Sequence, residues 1–165
     1  MAFEIERKFL VRGQDWRKLA TAQTRVRQAY LASGEKSSTR VRIKNDVAAT
    51  LTIKAKDAGL RRLEVEVPIA LIDGEALMSL RESSLIEKVR YHVTWHRNTW
   101  EIDVFDGDNA GLIIAEIELR DERETFERPP WLGVEVTGQP RYYNSALAQR
   151  PYATWQTTAG LRLAR

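Results

Sequence analysis

Apolar and charged residues alternate along most of the first 120 residues, so side chains at i, i+2 and i+4 share one face and their neighbours the other. This period of two predicts strands at 3–11, 24–32, 38–44, 48–56, 61–69, 85–96, 99–105 and 112–120. Turn residues punctuate them: Asn45-Asp46, Asp57-Ala58-Gly59, Asn98 and Asp106-Gly107-Asp108. A helix is expected over 72–81, with Asp73 as its cap. After Asp121 the pattern changes, and Pro129, Pro130, Gly133, Gly138 and Pro140 break up regular structure. Short helices are expected at 143–149 and 153–164. Eight antiparallel strands followed by helical segments predict an α+β fold. Its expected form is an eight-stranded antiparallel closed β-barrel, a tunnel with helices packed outside, because closure removes exposed strand edges.

Composition narrows this picture. The 165 residues suit one domain, 43% are hydrophobic, and five Trp, five Tyr and four Phe supply a core. There is no cysteine, which excludes disulfides, thiolate metal sites and cysteine nucleophiles. The charged start, Glu4-Ile5-Glu6-Arg7-Lys8, has no apolar secretion segment, and no apolar run is long enough for a membrane helix. The expectation is a cytoplasmic protein with no membrane partner. The net charge of +3 points mildly towards anionic ligands.

The placement of the charges says more. Glu4, Glu6 and Lys8 share a face, as do Arg40, Arg42 and Lys44; Lys54 and Lys56; Arg62, Glu64 and Glu66; Lys88 and Arg90; Glu101 and Asp103; and Glu116, Glu118 and Arg120. A wetted sheet face would also be charged. Here, however, the third and fourth strands carry only positive charge on that face, and the seventh and eighth carry mostly negative charge. A solvated face mixes its signs. Turned inward, this face makes a polar, charged lumen in which carboxylates hold a hard divalent cation and Arg and Lys grip phosphate oxygens.

The opening Glu-x-Glu-x-Lys of Glu4, Glu6 and Lys8 resembles the signature of the CYTH superfamily, the triphosphate tunnel metalloenzymes. The resemblance continues in order through 28–31, 39–44, 51–54, 64–66, 87–91, 101–105, 115–119 and 131–147. It is strongest to short bacterial inorganic tripolyphosphatases. It implies a tunnel domain over 1–150 and an extension over 151–165. It also implies metal-dependent hydrolysis of a small triphosphate, with Mg2+ or Mn2+ as cofactor. Glu116 and Glu118 would ligate the triphosphate-bound metal, and Glu4 and Glu6 a second one. Glu64, Glu66 and Asp103 would add to the acidic side. Lys8, Arg40, Arg42, Lys54, Lys88 and Arg90 would hold phosphate, with Arg62 a further basic candidate.

Lys8, Tyr30 and Lys54 are the three catalytic candidates. Lys54, among other cations, is either a general base or a plain phosphate clamp. Strict alternation leaves the facing of Tyr30 ambiguous; the resemblance to short bacterial tripolyphosphatases implies that it pairs with Lys8, holds it in place and favours tripolyphosphate hydrolysis. His92 and His96 read as structural or solvent-facing. A class IV-type adenylyl cyclase and a thiamine or nucleoside triphosphatase share the architecture. A polyphosphate-binding module is the non-enzymatic alternative, but a simple anion binder gains nothing from carboxylates beside phosphates. No nucleic acid is required, and the sequence is compatible with a homodimer.

Overall fold

Alternating, β-branched-rich segments form nine strands in a computed structural model that describes residues 5–55, 63–121 and 123–155. They are β1 (Ile5–Val11), β2 (Ala20–Ser33), β3 (Ser37–Lys44), β4 (Ala48–Ala55), β5 (Glu64–Ile69), β6 (Ile86–Trp95), β7 (Asn98–Asp106), β8 (Ile113–Leu119) and β9 (Leu132–Glu135). Two helices accompany them, α1 (Leu71–Met78) and α2 (Asn144–Gln149). The strands form one sheet in the order β5-β4-β3-β2-β6-β7-β8-β1-β9, and every pairing is antiparallel.

The expected eight strands are present, and β9 is a ninth. Its brevity and its glycine hide it from a periodicity argument. Gly133 lies where β9 meets β1, and a Cβ there would stand 2.8 Å from the Leu10 carbonyl oxygen. Only a glycine permits this approach. The ladder is also open: among the described residues no pairing joins β5 to β9. Closure by hydrogen bonds is therefore not a feature of the described sheet.

The sheet is nonetheless strongly curled. Tyr30 on β2 and Lys8 on β1 lie four strand positions apart, about 19 Å in a flat sheet. Yet the Lys8 charge acts on the Tyr30 phenol, and Leu10 of β1 packs in the same cluster as Tyr30.

The convex side is apolar and covered in two places. Phe9, Trp100, Ile102 and Ile117 pack with Trp16, from a 3₁₀ turn at Asp15–Leu19, and with Trp131. Ala29, Val41, Ile43 and Ala49 pack under Met78 of α1. That helix is shorter than expected. Its cap position is Ala70, without a side-chain acceptor, and Asp73 sits in the first turn, where a negative charge suits the helix dipole. The β3–β4 turn places Asn45 and Asp46 at φ 51° and 56°, as a tight hairpin turn requires. The β6–β7 turn falls on His96 (φ 50°) and Arg97, ahead of the expected Asn98.

The concave face changes character along the strands. Lys8, Lys88, Asp103 and Glu116 give way, two residues along each strand, to Leu10, Ile86, Phe105 and Ile114. These apolar residues pack with Val136, Tyr142 and Leu147 from the chain beyond β9, and with Tyr152 and Trp155. One end of the concavity thus has an apolar floor, and the charged residues stand above it. No helix among the described residues is long and apolar enough to cross a membrane.

Candidate active site

Cross-strand register brings the charged residues of the concave face together. Lys8 lies opposite Glu116, Glu6 opposite Glu118, Glu101 opposite Glu116 and Arg90 opposite Asp103. Pairing of this kind sets neighbouring side chains within contact reach. Two walls result.

The first wall spans β6, β7, β8 and β1. The Lys8 ammonium donates to Glu6 Oε1 at 2.6 Å and to Glu116 Oε1. Arg90 donates from Nε to Asp103 Oδ1 and from Nη2 to Asp103 Oδ2, both at 2.7 Å. Its Nη2 also reaches Glu116 Oε2 at 2.8 Å, and Nη1 donates to Glu101. Lys88 donates to Asp103 Oδ2. Asp103 is 0% exposed and Lys88 3%, so this pair lies beneath the site and not at its surface. His92 stands at the rim, 3.3 Å from Glu101.

The electrostatics follow from this crowding. Burial raises the Glu116 carboxyl, but Lys8, Lys88 and Arg90 outweigh it and hold the group well below the usual carboxylate range. Glu6 moves the other way, pushed up to about 7 by burial and then by the Glu116 charge, against the pull of Lys8. Burial lowers Lys88 despite its pairing with Asp103. For Lys8, the Glu116 and Glu6 charges overcome the burial effect and raise its affinity for its proton.

The second wall spans β2 to β5. Arg40 Nη2 lies 3.4 Å from Glu64 Oε1, and Lys54 Nζ 2.9 Å from Glu64 Oε2. Thr52, fully buried, donates to Glu66 Oε2 at 3.1 Å. Arg42 donates from Nε to Gln28 Oε1 at 3.1 Å. Burial lowers the Arg42 guanidinium, and the charges of Arg40 and Arg90 lower it further. Three guanidiniums thus face one space, an arrangement that favours an anion among them.

The sequence expectations map onto this geometry unevenly. Lys8, Arg40, Arg42, Lys54, Arg90, Glu6 and Glu116 face the concavity, and Glu118 shares their face at the exposed rim. Glu64 and Glu66 belong to the basic wall, and Asp103 is engaged by Lys88 and Arg90. Glu4, Lys56 and Arg62 lie outside the described residues. Tyr30 shares a face with Gln28, because the β2 irregularity comes only after Tyr30. In this structure the Lys8 ammonium donates to Glu6 and Glu116, the Tyr30 hydroxyl accepts from Gln28 Nε2 at 3.1 Å, and the Lys8 charge still acts on the Tyr30 phenol. Strand parity alone did not single out Gln28 or Thr52, whereas it did place Glu101 on the charged face. The signal for Gln28 was an amide flanked by Val26 and Tyr30 on an inward face, opposite Arg42 in the register.

The donor set fits a hard divalent cation. Every candidate ligand is a carboxylate oxygen, the type that suits Mg2+ and Mn2+. Glu6 and Glu116 already converge on one cation, the Lys8 ammonium. Among the described residues, no three acidic or imidazole groups stand together as a formed metal site.

The CYTH domain model matches residues 2–152. The chain is 45% identical over 157 residues to an inorganic triphosphatase of Acetivibrio thermocellus, covering 94% of this chain and 99% of that protein. It is 34% identical over 148 residues to an inorganic triphosphatase of Nitrosomonas europaea, covering 88% and 96%. A crystal structure of an inorganic triphosphatase resembles it with a TM-score of 0.69 at 32% identity, covering 90% of this chain and 95% of that one.

Proposed function

This chain belongs to the CYTH domain family, and from that premise we propose that it hydrolyses inorganic triphosphate to pyrophosphate and phosphate, by attack of water on a terminal phosphorus. One observation carries the reading: a single concave face sets Arg40, Arg42 and Lys54 on one wall and Glu6, Glu101 and Glu116 on the other. A polyanion that travels with a divalent cation needs both signs side by side. Phosphoryl transfer asks a protein mainly for positioning and charge.

In this reading the curled sheet encloses the substrate as a tunnel. Arg40, Arg42 and Lys54 bind phosphate oxygens from one side, and Lys8 and Arg90 from the other. Lys54, ion-paired with Glu64, serves as a clamp. Lys88 and Asp103, buried below, fix the guanidinium of Arg90 in its plane. Glu6, Glu116 and Glu118 would hold the cation, Mg2+ or Mn2+, together with Glu4. When bound, the cation supplies charge neutralisation of the phosphate oxygens and acidifies nearby water. Glu6 and Glu116, which now hold the Lys8 ammonium, would have to release it to hold the cation, and that ammonium would then be available to the substrate. The full carboxylate set distinguishes this reading from a phosphate-binding module.

The test is phosphate release from tripolyphosphate, ATP and thiamine triphosphate by the purified chain, with Mg2+ or Mn2+ and with a chelator. Turnover fastest on tripolyphosphate and abolished by chelation is expected. Inactivity on tripolyphosphate with every divalent metal would refute it.

A further inference from the structure

Between Arg42 and Tyr30 lies a fully buried amide to which the charge pattern assigns no role. Gln28 is 0% exposed, and both ends of its side chain are used. Its oxygen accepts from Arg42 Nε and its nitrogen donates to Tyr30 Oη, each at 3.1 Å. An arginine can only donate, so the amide has a single consistent orientation: oxygen to Arg42, nitrogen to Tyr30. The Tyr30 oxygen is then an acceptor towards Gln28, and its own O–H proton points elsewhere.

Beside it on the concave face stands Arg40, whose charge and hydrogen bonding also bear on the Tyr30 oxygen and which keeps one donor unmet. Arg40, the cross-strand partner of Tyr30, has its Nε buried with no hydrogen-bond partner. Leaving such a group unmet is costly, and native structures rarely do so without a reason. An anion oxygen at this spot would satisfy Arg40 Nε and the Tyr30 hydroxyl together.

We infer that Gln28 is a positioning residue that fixes Tyr30 as a hydrogen-bond donor, and Arg42 in its plane, towards one phosphate oxygen at the apolar end of the site. The inference rests on the triphosphate reading and adds to it. Tyr30 acts here as a neutral donor and not as a base. Burial, which raises its pKa against the pull of Arg40 and Arg42, agrees with that.

The test compares Gln28→Glu, Tyr30→Phe and the double variant on tripolyphosphate. A carboxylate at position 28 still accepts from Arg42, but it also accepts from Tyr30 and so turns the hydroxyl proton away from the substrate. Each single variant should raise KM about tenfold, the size expected for one hydrogen bond to a charged acceptor. kcat should change little. The double variant should match the singles, because both changes remove the same contact. Gln28→Met, similar in volume and without either hydrogen bond, should raise KM further because Arg42 is also released. It keeps the test decisive if the glutamate variant folds poorly. A Gln28→Glu enzyme with wild-type KM, or a double variant whose loss is the product of the singles, overturns the inference. A residue with a purely structural role would lower the melting temperature without this shared, non-additive KM effect. If the unmodified chain fails to hydrolyse tripolyphosphate, the functional reading itself fails and this inference falls with it; if it hydrolyses normally and only the variants disagree, the inference alone falls.

Discussion

At the scale of single residues, the site is a set of charges that hold one another in place. Asp103 shows how strongly. Its two oxygens take Lys88 and Arg90, and Lys88 has almost no access to water. Removing one member of a buried pair leaves an uncompensated charge, which costs about 3–5 kcal/mol. Asp103→Asn should therefore lower stability by about that amount in urea denaturation. Replacing both partners, as Lys88→Met with Asp103→Leu, should recover at least half of the loss. An Asp103→Asn variant as stable as the parent would show that the pair is dispensable. Residue parity made most of these side chains legible in advance: Glu6 with Lys8, Arg40 with Arg42, Glu116 with Glu118. What parity does not encode is partner choice. Nothing in the alternation says that Asp103 faces Lys88 and Arg90, or that Lys8 meets Glu116. That depends on which strands become neighbours, and β1 pairs with β8 across more than a hundred residues of chain.

At the scale of elements, the strands were visible because each keeps unlike faces, whereas the pieces missed were those without a period. The 3₁₀ turn carrying Trp16 is too short to show one, and β9 is four residues interrupted by Gly133. Helix α1 contains another close approach. A Cβ added at Gly74 would lie 2.6 Å from the Ala49 side chain on β4. Alanine normally stabilises a helix interior over glycine by about 1 kcal/mol. Here steric overlap should reverse the sign, and Gly74→Ala should destabilise by about 1–3 kcal/mol through overpacking. Thermal unfolding checks this: a raised melting temperature would mean that α1 shifts off the sheet at no cost.

At the scale of the whole molecule, the sheet is a curled wall with an ordering of polarity along its depth. The rim is charged, the middle holds paired ions, and the floor is apolar and packed by Leu147, Tyr142 and Trp155. Alternation predicted the charged face but not the floor, because Leu10, Ile86, Phe105 and Ile114 read as ordinary strand residues until the curl brings them together. Nor did it predict an open ladder. Hydrogen-bonded closure depends on the relation of β5 to β9, which lie far apart in sequence and carry no mutual signature. The floor and the two charged walls together define a space suited to a short, highly charged anion held by its oxygens.

The central claim is that opposite charges on that concave face act on one triphosphate, and Glu116 is the carboxylate that Lys8, Arg90 and Glu6 all meet. The decisive measurement is the initial rate of phosphate release from tripolyphosphate by Glu116→Gln at saturating Mg2+ or Mn2+, beside the unmodified chain. The account predicts a fall of about a hundredfold or more, the scale on which a preorganised charged group contributes to such a transition state. A Glu116→Gln protein that hydrolyses tripolyphosphate at the unmodified rate would contradict it.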